Sequence, residues 1–282
     1  MKNCTEELLK LIKKITKVYS EREEIKAIAV TGSVSRGNAT EYSDTDIVLI
    51  YNKLPPDDFF TEAFKINRGE NREIFGKDED GMAEQYYVDG VEYQFAHGLP
   101  KYYDETFDKL LNEYSIDPTH QHIADSFGDI LPIYGEEYIN SLKSRLKDFP
   151  EELQIKLVER YLRFGPFDEL KYRFQKKENI IWTTDVLSIY VKRIIATLLG
   201  VNKKFIPYDF RKIERVIDGL EHKPDDLYNR IHRLFEFPRI NALDDLYKLK
   251  METIEIVEKN LPRFDTAKVR NELVRSQSYL NI

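Results

Sequence analysis

The sequence predicts an α+β chain: an N-terminal mixed β-sheet core with flanking helices, followed by a C-terminal α-helical bundle. Three observations carry this reading. Strand-like apolar runs at 25–30, 47–51, 84–88, 91–95 and 130–134 all fall before residue 136. Beyond it, apolar residues recur at helical spacing to the end of the chain. Pro150, Pro166, Pro207, Pro224, Pro238 and Pro262 punctuate those helical stretches, between them or at their first turns. The two halves are taken as residues 1–140 and 141–282.

In order, residues 4–20 read as an amphipathic helix, because Leu8, Leu9, Leu11, Ile12 and Ile15 alternate with Glu6, Glu7, Lys10, Lys13 and Lys14. Ile25 to Val30 is a short buried strand that stops at Thr31-Gly32. Ile47 to Tyr51 is a β-branched run ended by Pro55-Pro56. The runs 84–88 and 91–95 flank Asp89-Gly90, a pair whose positions both favour positive φ and so close a hairpin. Residues 57–83 are polar and Gly-interrupted, and read as a loop or partly ordered insertion. After the run 130–134, helices are expected at roughly 136–147, 151–163, 168–177, 181–200, 208–219, 224–234, 241–260 and 265–279.

Composition narrows the function classes. With 16 Phe and 18 Tyr in 282 residues the chain can build a core, which argues against wholesale disorder. A net charge of −7 argues against a general nucleic-acid binder, which needs clustered Lys and Arg. The lone Cys4 excludes an internal disulfide and a Cys-based zinc ribbon. No stretch approaches the ~20 apolar residues that span a bilayer. The most apolar window, Ser188 to Val201, is interrupted by Lys192 and Arg193, and the N-terminal stretch reads as a helix rather than a signal peptide. The expectation is a soluble cytoplasmic protein, monomer or homodimer, in which the Asn3 and Asn38 Asn-x-Thr triplets stay unglycosylated.

The chemistry lies in Thr31 to Ile50, TGSVSRGNATEYSDTDIVLI. A strand ends at Thr31, Gly32 and Ser33 open a tight turn, Arg36 and Gly37 follow, and a second strand begins at Asp44-Thr45-Asp46. Residues two apart in a strand share a face, so Asp44 and Asp46 point the same way and repel each other unless a cation lies between them. Mg²⁺ takes hard oxygen ligands and keeps substrate phosphates among them. The Gly-Ser turn offers backbone N–H groups and a hydroxyl to an anion, and Gly32 lets the chain approach a phosphate closely. A phosphate cradle beside a carboxylate pair is equipment for phosphoryl or nucleotidyl transfer. Either part alone is commonly an ordinary turn or a solvated pair; their joint occurrence is the specific signal.

The segment resembles the signature of the DNA polymerase β-like nucleotidyltransferase superfamily: an apolar strand, Gly-Ser, a spacer that here runs from Val34 to Ser43, then Asp-x-Asp entering a strand. The form G-S-x-x-R-G-x-A-x-x-x-S-D-x-D is similar to small bacterial members, including those that adenylylate antibiotics of the lincosamide and aminoglycoside types. Thr31 and Thr45 depart from the aliphatic residues commoner there, and the motif covers only the catalytic domain. The resemblance implies that Asp44 and Asp46 bind two Mg²⁺ ions, joined by a third carboxylate on a neighbouring strand. Glu92 is the candidate, since alternation sets it and Gln94 opposite the face of Val91, Tyr93 and Phe95; Asp89 and Asp129 are rivals, and an ordinary solvent-facing residue is the bland alternative. It implies that Ser33 and the Gly32 backbone hold the β- and γ-phosphates of ATP or another nucleoside triphosphate, with Glu92 helping to deprotonate an acceptor hydroxyl. Arg36 either neutralises phosphate charge or is a surface arginine. The stretch Asn202 to Tyr208 resembles the helical domains of such enzymes, implying acceptor binding by residues 141–282, with Lys192 or Arg193 as phosphate contacts.

Other signals are weaker. Gly32-x4-Gly37 is half a P-loop, but Asn38 and Ala39 replace its Lys and Ser/Thr, so a P-loop NTPase is rejected. His120-x-His122 could ligate a metal on one strand face but lacks a third ligand. Lys176-Lys177 and Lys203-Lys204 read as solvated helix ends, and Trp182, Tyr190 and Tyr208 as core aromatics rather than base-stacking platforms. The expected activity is transfer of a nucleoside monophosphate to a small hydroxylated acceptor, an antibiotic being one candidate. A protein hydroxyl as acceptor and an inactive nucleotide-binding module are the alternatives.

Overall fold

The computed structural model describes residues 4–175, 180–208, 210–236 and 242–274. The chain forms two compact units, Met1–Glu113 with His122–Asp148, and Tyr114–Gln121 with Phe149–Ile282.

The first unit is built on a six-stranded sheet. Its strands are β1 (Ile25–Val30), β2 (Thr45–Tyr51), β3 (Glu70–Lys77), β4 (Gly81–Val88), β5 (Val91–Gly98) and β6 (Leu131–Tyr134), in the order β3-β4-β5-β2-β1-β6. All neighbours run antiparallel except β2 and β5, which are parallel. Alternation gives the sheet two unlike faces. Ile28 and Val30, Ile47, Leu49 and Tyr51, Tyr86 and Val88, and Tyr93 and Phe95 face one way into a core with Leu8, Ile12, Ile15, Tyr19, Phe59 and Phe60. The latter come from helices α1 (Cys4–Ile15), α2 (Lys17–Ser20) and, after the short α3 (Gly32–Ser35), α4 (Asp57–Ile66). The helix expected over 4–20 is thus interrupted at Thr16, whose Oγ1 donates to the Ile12 carbonyl at 2.8 Å.

The hairpin at Asp89-Gly90 forms as expected, with φ of 51° and 80° at the two turn residues. Residues 57–83 are not a loop. Pro56 precedes α4, which buries Phe59, Phe60 and Ala63 on one stripe, and β3 lies at the sheet edge. Nearly all of β3 is exposed, so its sequence lacks the alternation that marks a half-buried strand. Two further helices, α5 (Pro100–Leu111) and α6 (Pro118–Gly128), fill a stretch without a clear sequence signal. His120 and His122 therefore lie on a helix rather than a strand, and His120 Nδ1 is 2.9 Å from Ser115 Oγ. Helix α7 (Glu136–Arg145) packs against β1 and β6.

The second unit is helical: α8 (Glu151–Tyr161), α9 (Phe167–Gln175), α10 (Ile180–Val201), α11 (Ile213–Asp218), α12 (Leu227–Phe235), α13 (Ala242–Asn260) and α14 (Ala267–Val274). Its core gathers Leu187, Ile194, Ile195 and Leu198 of α10 with Leu246, Leu249, Ile254 and Val257 of α13. The helix expected over 208–219 shortens to α11, which is followed by a turn at Gly219 and Leu220. Lys203 and Lys204 follow α10 as exposed residues, while Lys176 and Lys177 lie outside the described residues.

Candidate active site

Strand β1 delivers the chain to Thr31, whose backbone N–H donates to the Asp46 carbonyl at 2.9 Å and so ties the turn to β2. Gly32 then adopts φ +70°, and a Cβ added there would collide with the Asp46 carboxylate, about 3.1 Å from its Cγ and nearer still to Oδ2. Only glycine satisfies both conditions without strain. Ser33 is buried, and its Oγ has no hydrogen-bond partner among the described residues. A buried hydroxyl without a partner carries a desolvation cost that an anion can relieve. Ser35 Oγ donates to the Gly32 carbonyl at 3.1 Å and the Asn38 N–H to the Ser33 carbonyl at 3.1 Å, which fixes the turn. Arg36, half-buried, forms the C-terminal cap of α3.

Asp44 and Asp46 frame the start of β2, both half-buried. Between them Thr45 points into the core and donates from Oγ1 to the Glu92 carbonyl at 3.2 Å. That bond gives a physical reason for a hydroxyl where an aliphatic side chain is commoner. The parallel register pairs Thr45 with Tyr93 and Asp46 with Gln94, so continued one residue it sets Asp44 across from Glu92. Tyr93 and Phe95 are buried on the core face, leaving Glu92 and Gln94 on the face of the two aspartates.

The contacts of Glu92 are specific. Its Oε2 accepts from the Tyr87 hydroxyl at 2.8 Å and its Oε1 from Gln94 Nε2 at 2.9 Å. The same Gln94 nitrogen donates to Asp44 Oδ2 at 3.3 Å. Two carboxylate neighbours fix the amide orientation, because only the NH₂ end can donate to both. The Glu92 carboxylate in turn pushes the Tyr87 hydroxyl above its ordinary pKa. Tyr87 and Gln94 were not singled out in the sequence. Their signals were available: Gln94 is two residues along the strand from Glu92, and the two-residue turn pairs Tyr87 with Glu92.

Three of the sequence-derived carboxylates therefore lie at one end of the central β2–β5 pair, with Asp46 against the Gly32-Ser33 turn. Asp89 stays in the hairpin turn and Asp129 precedes β6. Lys192 is exposed on α10, in the helical unit, and Arg193 there donates to the Arg163 carbonyl at 2.7 Å. A cavity of about 550 Å³ opens against Asp44, Glu92, Tyr87 and Tyr42, with Cys4, Glu7 and Leu8 of α1 on another wall.

The donor set fits a hard divalent cation in kind, since carboxylate oxygens sit beside a cradle for phosphate. Among the described residues no group of three or more His, Cys, Asp or Glu forms a ready metal cage. Mg²⁺ does not require one, because it is held through one or two carboxylates together with substrate phosphates and water.

Residues 12–110 match the family model of the nucleotidyltransferase domain. No curated protein matches the chain. Among solved structures, a nucleotidyltransferase-like protein from Exiguobacterium sibiricum is 14% identical, with 89% of this chain and 78% of that one covered at a TM-score of 0.40. A CCA-adding enzyme in complex with CTP is 15% identical, covering 91% and 71% at 0.27. The Thermotoga maritima CCA-adding enzyme complexed with tRNA is 13% identical, covering 96% and 88% at 0.26. The family match spans the segment that carries Gly32, Ser33, Asp44, Asp46 and Glu92, and supports a polymerase β-like nucleotidyltransferase fold for residues 12–110.

Proposed function

We propose that the protein is a metal-dependent nucleotidyltransferase that moves a nucleoside monophosphate, AMP from ATP in the first instance, to a hydroxyl of a small-molecule acceptor. The observation that carries this reading is the convergence of Asp44, Asp46 and Glu92 at one end of the central β2–β5 pair beside the Gly32-Ser33 turn.

In this reading Ser33 and the backbone of its turn bind the β- and γ-phosphates, and the absence of a Cβ at Gly32 keeps the space beside Asp46 open. Asp44 and Asp46, with Glu92 as third carboxylate, would hold Mg²⁺, which when bound supplies charge neutralisation for the attacking and leaving oxygens. Glu92 takes the proton from the acceptor hydroxyl. The acceptor oxygen forms a bond to the α-phosphorus, the α–β bridging bond breaks, and pyrophosphate leaves. Arg36 adds positive charge near the phosphates. The helical unit, with Lys192 as a phosphate contact, selects the acceptor.

The test is pyrophosphate release with Mg²⁺, each of the four nucleoside triphosphates and a panel of hydroxylated acceptors, including lincosamides and aminoglycosides. Release by the wild type that is lost in Asp46→Asn supports the assignment. Unchanged release in Asp46→Asn sinks it. A mass gain on a protein instead of a small molecule would redirect the acceptor class.

A further inference from the structure

Continued one residue past its first pair, Thr45 with Tyr93, the parallel β2–β5 register sets Asp44 across from Glu92, and like charges so placed repel. A hydrogen-bond clamp on the same face offsets that repulsion. Gln94 uses its one NH₂ group twice, toward Glu92 Oε1 at 2.9 Å and toward Asp44 Oδ2 at 3.3 Å. Tyr87, from the other side, donates to Glu92 Oε2 at 2.8 Å. Each Glu92 oxygen thus has one donor, and each keeps acceptor capacity for something else.

Backbone geometry makes the clamp rigid. Tyr87 is the antiparallel partner of Glu92, and Gln94 is the parallel partner of Asp46. The Thr45 hydroxyl holds the Glu92 carbonyl at 3.2 Å, so strands and side chains are fixed at the same point. Residues that hold a ligating carboxylate from behind commonly change metal affinity by 10–100-fold when removed.

We propose that Tyr87 and Gln94 are positioning residues that preset Asp44 and Glu92 as cation ligands. Neither touches substrate or cation; both act through Glu92, and Gln94 through Asp44 as well. This inference rests on the metal-dependent reading above and adds the parts that hold its third carboxylate.

The test is Mn²⁺ binding by electron paramagnetic resonance, alone and with ATP, on the full chain. Wild type, Tyr87→Phe, Gln94→Leu, Glu92→Gln and the doubles Tyr87→Phe/Glu92→Gln and Gln94→Leu/Glu92→Gln are compared. Each single positioning variant should weaken Mn²⁺ binding roughly 10–100-fold. In the Glu92→Gln background, Tyr87→Phe should add almost nothing, whereas Gln94→Leu should keep only its part through Asp44. A merely structural role would instead give additive losses, because the variants would then weaken the fold and not the carboxylate. Thermal unfolding without metal identifies any variant that fails to fold, and the other variant then carries the comparison. Wild-type binding that both single variants match, or a Tyr87→Phe loss undiminished beside Glu92→Gln, overturns the positioning role and leaves the metal reading standing. A wild type that binds no Mn²⁺ with or without ATP overturns the metal reading, and the inference with it.

Discussion

The sheet unit and the helical unit bury their charges in opposite ways. In the sheet unit, Glu84 accepts from Arg72 Nε at 2.6 Å and lies 3.2 Å from His97 Nε2, while His97 Nδ1 meets the Tyr51 hydroxyl at 3.0 Å. Burial pushes the His97 imidazole below its ordinary pKa despite Glu84, so a neutral ring donates from Nε2 and accepts at Nδ1. In the helical unit, Lys250 of α13 is fully buried, with Nζ 3.4 Å from the Tyr190 ring centre and 3.4 Å from the Phe164 carbonyl. Burial first, and the Arg193 charge second, lower its pKa to about 7. Glu84 is compensated by its partners, whereas burial makes the charged form of Lys250 costly. Pairing fixes Glu84 and its partners in place, whereas Lys250 lies against aromatic rings with a backbone carbonyl as acceptor.

That contrast can be broken by mutation. The largest effect on activity is expected from Gly32→Ala, which forces an L-residue to φ +70° and drives a methyl into the Asp46 carboxylate. Pyrophosphate release should fall as far as in Asp46→Asn, with about 1–3 kcal/mol of backbone strain visible in urea unfolding. Full activity in Gly32→Ala would show that the close approach to Asp46 is idle.

Lys250→Met is expected to act in the opposite direction. A pKa moved from 10.5 to about 7 corresponds to at most about 5 kcal/mol of stability withheld at neutral pH. The folded value lies below the unfolded one, so between about pH 7 and 10.4 the unfolded chain binds the extra proton. Wild-type stability therefore drops as pH falls through that window and is level below it. The gain in Lys250→Met should be largest near pH 7 and shrink toward pH 9.5 in denaturant unfolding. A gain independent of pH would mean that packing, and not charge, is what the lysine disturbs.

Glu84→Ala removes the common partner of Arg72 and His97, and should cost about 3–5 kcal/mol in the sheet unit. His97 adds an acid limb. Its folded pKa is depressed, so the unfolded chain binds more protons below about pH 6.5 and stability falls as pH drops through that region. His97→Gln should flatten this limb. The smallest effect belongs to Thr45→Val, which loses one hydrogen bond to the Glu92 carbonyl and about 1 kcal/mol, measurable as a shifted urea midpoint.

The sequence made different parts of this molecule legible for physical reasons. The Asp-Gly hairpin, β2 and the long helices announce themselves through turn chemistry and periodicity, and they form where expected. Strand β3 does not, since an exposed edge strand has no inward face to record. Helix α4 was hidden by the polar residues around Phe59, Phe60 and Ala63. At the candidate site, Gly32, Ser33, Asp44 and Asp46 were legible because twenty consecutive residues carry them. Glu92 needed the family resemblance, which implies a third carboxylate, and strand alternation to favour it over Asp89 and Asp129. Tyr87 and Gln94 were placed by the hairpin turn and by alternation, but neither residue type alone points to a role beside Glu92. Lys250 was invisible, because its aromatic surroundings come from α10 and the Phe164–Phe167 stretch, far away in the chain.

The proposed metal–nucleotide site joins the Gly32-Ser33 turn to the Asp44-Asp46 pair. The most direct measurement is thermal unfolding with and without Mg²⁺ and each nucleoside triphosphate, on wild type and on Asp44→Asn/Asp46→Asn. Ligand at 100 times its dissociation constant adds roughly 2.7 kcal/mol to the folded state, which is readily seen as a raised midpoint. The expected result is a shift in wild type that needs Mg²⁺ and disappears in the double variant. An equal shift in the double variant, or none in wild type with any nucleotide, would contradict it.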